Sequence, residues 1–155
     1  MDISDHIDMA IVGKTILLVE DNPDDRDLAV QAFKQAEIRS RMDCCADGQE
    51  ALDYLFGGGK FSGTGEPALP DLVLLDLKLP KIDGIEVLRR IRANPATCRL
   101  PVAIMTSSRE ESDVRACYDS HANSYIRKPV DFLLFVHTAR QLGHYWLALN
   151  EAPPH

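Results

Sequence analysis

Long hydrophobic runs are missing from this 155-residue chain, whose longest apolar stretches are only a few residues, against the roughly 20 that a membrane span requires. No membrane partner is expected. Cysteine is scarce, and Cys44, Cys45, Cys98 and Cys117 show no C-x-x-C spacing, which argues against both a zinc site and a disulfide framework. They read as small hydrophobes in a reducing compartment. Positive charge is in deficit: 17 Lys and Arg face 24 Asp and Glu, for a net charge of -7. The basic residues are scattered, and phosphate neutralisation needs clustered ones, so nucleic acid is not expected as a partner and proteins are. The N-terminus lacks a basic, apolar signal pattern. Residues 1–14 are expected to be a flexible lead, 15–149 one domain and 150–155 a flexible tail, in a cytoplasmic protein.

What is present is an alternation. Ile16-Leu17-Leu18-Val19, Leu72-Val73-Leu74-Leu75 and Val102-Ala103-Ile104-Met105 are uninterrupted apolar runs, the pattern of parallel strands covered on both faces. Strands are predicted over residues 15–19, 41–46, 71–75, 101–105 and 124–127. Asn22-Pro23 provides a cap and a first-turn proline for a helix to about residue 36, with Leu28, Ala32, Phe33 and Ala36 on its inner face. Asp47-Gly48 opens a short helix carrying Ala51, Leu52 and Leu55. Residues 57–70 hold five glycines and two prolines and read as a long mobile loop. Asp83-Gly84 opens a third helix, with Ile85, Leu88 and Ile91 inward, stopped by Asn94-Pro95. Two more helices are predicted over about 110–120 and 131–149. Strands alternating with helices imply an α/β doubly wound parallel sheet of order 2-1-3-4-5, with helices on both faces and strands one and three at the switch point.

In such sheets chemistry collects at the carboxyl ends of the strands. Glu20 and Asp21 follow the first run, Asp76 the second, and Thr106 the third, while Tyr125 and Lys128 mark the last strand. Carboxylates brought this close repel unless a cation sits among them, and oxygen-only ligands point to Mg2+. Asp21 and Asp76 are assigned as direct ligands, Glu20 as a ligand through water, and the backbone carbonyl of Lys78 as a further oxygen. A stability-only ion-pair cluster is the alternative. Lys128 would place a point charge on a phosphoryl oxygen, its direction fixed by Pro129, which can be cis.

The strings Val-Glu-Asp-Asn at 19–22, Leu-Leu-Asp-Leu-Lys-Leu-Pro at 74–80 with Asp83-Gly84, Met-Thr-Ser at 105–107 and Tyr-Ile-Arg-Lys-Pro at 125–129 resemble the receiver domain of two-component response regulators. The resemblance runs from about residue 15 to 149. It is nearest to the single-domain regulators of phytochrome-type sensor kinases, suggested by the Gly-rich loop, the stretch from Cys117 to Asn123 and Tyr145-Trp146-Leu147. It implies a flavodoxin-like fold and a signalling protein, not an enzyme, with no output domain. By resemblance Asp76 is the phosphoacceptor served by a sensor histidine kinase, Glu20 and Asp21 are the acidic metal pair, Thr106 and Lys128 grip phosphoryl oxygens, and Tyr125 swings inward as a switch. His121 stands where many relatives have Gly and is expected to cap a helix with positive φ. Lys78 and Ser108 resemble positions that tune phosphate lifetime.

A phosphatase using an aspartyl-phosphate intermediate is a rival reading, but it would need an acid two residues beyond the nucleophile, where this chain has Lys78. A binding-only pseudo-receiver is the other. On the last helix, Phe132, Phe135, Ala139 and Leu142 form one stripe, leaving Leu133, Leu134, Tyr145, Trp146, Leu147 and Leu149 on other faces. Aromatic anchors are typical of interfaces. A homodimer through the helix after strand four, strand five and the last helix is therefore expected, with a fold-back onto the chain's own domain as the alternative.

Overall fold

A computed structural model describes residues 2–63, 65 and 67–154. Part of the expectation for residues 57–70, at Thr64 and Glu66, and the chain ends Met1 and His155 lie outside these. The elements are α1 (Ile3–Ile11), β1 (Thr15–Val19), α2 (Pro23–Gln35), β2 (Arg41–Cys45), α3 (Gly48–Phe56), β3 (Leu72–Leu75), α4 (Gly84–Ala93), β4 (Val102–Thr106), α5 (Glu111–Asp119), β5 (Ser124–Arg127) and α6 (Phe132–His144), which runs on into a π-helical segment at Tyr145–Leu149. The strands form one parallel sheet in the order β2-β1-β3-β4-β5, the doubly wound order expected from the alternation.

The caps explain where the helices start. Asn22, Asp47, Asp83 and Asp131 each turn a side-chain oxygen back onto backbone N–H groups of the first turn, satisfying donors that have no partner within the helix. β1, β3 and β4 are buried almost throughout, which is why their runs do not alternate. One core layer joins them to α2 and α6, the other to α3 and α4.

Two inner faces differ from expectation by a residue. On α2 the buried stripe is Ala29, Ala32, Phe33 and Ala36, while Leu28 is exposed; small alanines let α2 lie against α6. On α4 it is Gly84, Val87, Leu88 and Ile91, with Ile85 only half-buried. In both, the spacing of three and four residues is kept and all but one of the expected inner residues stay buried. Within the Gly-rich loop, Gly59–Phe61 forms a short 3-10 turn, and Phe61 packs edge-on against Tyr54 with ring centroids 5.3 Å apart.

The expected flexible lead is a correction. Ile3–Ile11 is a helix capped by Asp2, whose Oδ1 accepts the Asp5 N–H at 3.0 Å. It packs on the segment Tyr145–Leu149 and on α6, burying Ile11 to 1% exposure and Leu147 to 4%. Ile7, Trp146 and Ala148 are partly buried against the same core. The physical reason is that the end of α6 carries apolar residues beyond the stripe facing the sheet, and α1 covers them. Leu147 therefore folds onto its own domain, whereas Leu133, Leu134, Tyr145 and Leu149 stay exposed. At the other end, Ala152, Pro153 and Pro154 lie beside Leu69, Pro70 and Pro101, so this part of the tail also borders the domain.

Ile11→Ala is expected to lower the unfolding free energy by about 2 to 3 kcal/mol, the usual cost of emptying a buried aliphatic site. Chemical denaturation followed by Trp146 fluorescence checks this; an unchanged midpoint would return α1 to the status of a loose lead.

Candidate functional site

The sheet brings the site together by register. Val19 pairs with Leu75, so Glu20 and Asp76, the next residue of each strand, leave the sheet side by side. Asp76 N–H donates to the Val19 carbonyl at 3.1 Å and Glu20 N–H to the Cys45 carbonyl at 3.0 Å. Glu20 is 4% exposed and Asp76 7%, while Asp21 is exposed at the mouth. The three carboxylates each offer an oxygen, all within 4.8 Å of one another. Hard oxygen donors with one side open to solvent fit a divalent cation of the Mg2+ type.

Asp76 is held at both oxygens. Its Oδ1 accepts the Leu77 N–H at 2.7 Å and the Lys78 N–H at 3.4 Å, and its Oδ2 accepts from Lys128 Nζ at 2.8 Å. The loop that follows can close this tightly because of Gly84. A Cβ there would stand 2.1 Å from the Asp76 carbonyl oxygen, and the Gly84 N–H donates to the Leu77 carbonyl at 2.9 Å. Only glycine lets the start of α4 rest on the strand end.

Lys128 does more than the sequence suggested. Its backbone N–H donates to the Thr106 carbonyl at 2.8 Å, and its side chain reaches past the end of β4 to pair with Asp76, with Glu20 and, at 3.2 Å, with Asp25 Oδ2. The peptide to Pro129 is trans, so the cis form that the dipeptide allowed is not adopted, and the three carboxylates direct the lysine. Burial opposes the charge on Lys128, but the hydrogen bonds and charges of Asp76 and Glu20 outweigh it and raise the pKa above the ordinary lysine value. Burial pushes the Glu20 carboxyl up, an effect that bonds from Lys128 and the Asn22 N–H only partly offset.

Thr106 ends β4 fully buried. Its Oγ1 accepts the Ser108 N–H at 3.4 Å, which leaves its own proton available to a further acceptor. Tyr125 is half-buried and donates its hydroxyl to the Ser108 carbonyl at 3.0 Å, and burial raises its pKa. The side chain of Lys78 points to Asp113, 3.9 Å away, so only its backbone belongs to the acidic pocket. His121 has φ 66° and closes α5 as expected: its N–H donates to the Tyr118 carbonyl, and the next N–H, of Ala122, reaches back to Cys117.

Sequence reasoning passed over Asp25, which looked like an ordinary first-turn acid of a capped helix. It also passed over Asp113, which gave no motif signal.

The response regulator receiver domain family matches residues 16–140. The chain is 40% identical over 141 residues to the probable methanogenesis regulatory protein FilR2 of Methanothrix harundinacea, covering 89% of this chain and 86% of that protein. It is 37% identical over 140 residues to the response regulator Rcp1 of Synechocystis sp., covering 90% and 93%. The Mn2+-bound form of Rcp1 superposes with TM-score 0.81 at 35% identity over 91% of this chain and 99% of that one. The phosphorylated cyanobacterial phytochrome response regulator RcpA superposes with TM-score 0.82 at 35% identity, with the same coverage.

Lys128→Met removes the cation shared by two buried carboxylates and is expected to cost about 3 kcal/mol. Because a divalent ion would replace the missing positive charge, Mg2+ should raise the melting temperature of this variant more than that of the unmodified protein. Calorimetry with and without Mg2+ reads the difference, and equal shifts would mean that Lys128 and the cation site are independent.

Proposed function

Since the chain belongs to the response regulator receiver domain family, we propose that Asp76 is its phosphoacceptor, taking a phosphoryl group from the phosphohistidine of a sensor histidine kinase. The observation that carries this reading is the placement of Asp76 between Lys128 and the backbone N–H of Leu77, beside Glu20 and Asp21. Receiver domains bind a divalent metal in this acidic pocket; Glu20, Asp21, Asp76 and the Lys78 carbonyl would hold Mg2+ here, which would neutralise charge on the transferring group.

The chain's own groups account for the remaining steps. An Asp76 carboxylate oxygen attacks phosphorus as the bond to the kinase imidazole breaks, and the imidazole leaves. Leu77 N–H keeps the carboxylate from rotating, so the attack starts from a fixed geometry. Lys128, already 2.8 Å from Asp76 Oδ2, follows the negative charge onto a phosphoryl oxygen. Thr106 turns its free hydroxyl proton to another, and the shift of β4's end is passed to Tyr125. A charge added at one carboxylate thus biases a two-state loop. The protein is a signalling switch and not an enzyme with an external substrate.

The kinase is of phytochrome type in this reading, supported by what RcpA is said to be. Exposed Leu28, Val130 and Leu133, on α2 and around the start of α6 next to Lys128, offer it apolar contact. The net charge of -7 and scattered basic residues speak against nucleic acid. Among the described residues no helix is long and apolar enough to cross a membrane, which is compatible with a cytoplasmic site of action. A homodimer through α5, β5 and α6 is supported by the shallow groove lined by Ile126, Thr138, Leu142, Tyr145 and Trp146 along the open edge of β5. Leu147 takes no part, being covered by α1.

A small phosphodonor plus Mg2+ should add one phosphoryl mass to the intact protein and none to Asp76→Asn; a persistent gain in that variant would remove Asp76 as acceptor. Light scattering at micromolar concentration should give a dimer, and Tyr145→Glu a folded monomer. A monomeric unmodified protein would reject the interface.

A further inference from the structure

The loop between β4 and α5 is organised around one serine. All three polar groups of Ser108 are engaged: its N–H with Thr106 Oγ1 at 3.4 Å, its carbonyl with the Tyr125 hydroxyl at 3.0 Å, and its Oγ donating to Asp113 Oδ2 at 2.5 Å. Ser108 is thus the physical link between the threonine at the strand end and the tyrosine. What fixes Ser108 is Asp113, in the first turn of α5. The bond between them is charge-assisted and short, the stronger class of hydrogen bond. The two contacts from Thr106 and Tyr125 are longer and involve neutral groups. The same Asp113 oxygen lies 3.9 Å from Lys78 Nζ, which ties α5 to the segment just after Asp76.

We infer that Asp113 is a positioning residue: through Ser108 it sets the loop conformation that holds the Tyr125 hydroxyl and couples it to Thr106. For its signalling meaning this rests on the phosphoacceptor reading above; its geometry stands without it. Asp113 touches no reacting atom. With its carboxylate in place, Ser108 is anchored to α5, so a displacement of Thr106 pulls against a fixed point and reaches Tyr125. With the carboxylate gone, Ser108 Oγ keeps only the weaker contact from the Glu110 N–H at 3.3 Å, so the serine follows Thr106 more freely and its carbonyl is no longer held under the tyrosine hydroxyl.

The test separates the hydrogen bond from the charge. Asp113→Asn keeps an oxygen to accept from Ser108 Oγ but no charge for Lys78, whereas Asp113→Ala removes both. The four tyrosines are labelled as 3-fluorotyrosine in the whole chain, and the Tyr125 signal is assigned through Tyr125→Phe. Without phosphodonor, Asp113→Ala should move the Tyr125 fluorine resonance toward the solvent-exposed position, with the population bonded to Ser108 falling at least about tenfold, the scale of one charge-assisted bond. Asp113→Asn should keep it near that of the unmodified protein. Ser108→Ala should reproduce the effect of Asp113→Ala, and it decides the matter if circular dichroism shows Asp113→Ala to be unfolded. An unchanged resonance in the alanine variants, or an equal displacement in Asp113→Asn, overturns the inference. Intact-mass labelling of Asp76 is read separately. If the unmodified protein takes no phosphoryl group, the functional reading fails, while the resonances recorded without donor still settle the role of Asp113.

Discussion

The ion pairs of Lys128 with Asp76 and Glu20 hold the working end of the molecule together. The lysine directly follows β5, at one edge of the sheet, and its partners directly follow β3 and β1, two and three strands away. Two buried carboxylates side by side cost free energy in proportion to their desolvation and mutual repulsion. They persist because one ammonium, itself mostly buried, answers both. Any positive charge that enters from solvent at Asp21, and any negative charge added to Asp76, must renegotiate that arrangement. A site poised in this way responds to small changes in charge, as a switch requires.

The backbone sets the stage on which this happens. Parallel pairing of β1 with β3 at the switch point leaves Glu20 and Asp76 adjacent with no freedom of spacing. Gly84 then allows α4 to sit on the Asp76 carbonyl, so the acidic residue is gripped from the strand, from the following loop and from the lysine. On the far side, α5 and its Asp113 carry the β4–α5 loop. The same strand ends that supply the chemistry therefore also supply the lever arms.

Much of this was legible in the sequence, for reasons that are physical. Uninterrupted apolar runs announce buried parallel strands, Asx residues before glycine or proline announce helix starts, and residues beyond the runs fall at the sheet edge. Glu20, Asp21, Asp76 and Thr106 were found by that logic. α1 was not, because Ile7 and Ile11 are spaced one turn apart among aspartates in a segment too polar to look structured, and what they cover lies at the other end of the chain. The threefold engagement of Lys128 and the anchoring role of Asp113 were hidden for a different reason. Side-chain direction across several strands is decided by tertiary geometry, and no local pattern encodes it. The trans peptide at Pro129 belongs to the same class: an isomer is a property of the packed loop and not of the dipeptide.

The packing of α1 on the segment Tyr145–Leu149 joins the first element of the chain to the last. Contacts of such sequence separation are the most expensive in loop-closure entropy and form late. Ile11 and Leu147 therefore find their seat only once the elements between them have brought the two segments together. Until then both side chains stand in water, and two apolar surfaces far apart in sequence stay open to other chains until they are closed against one another.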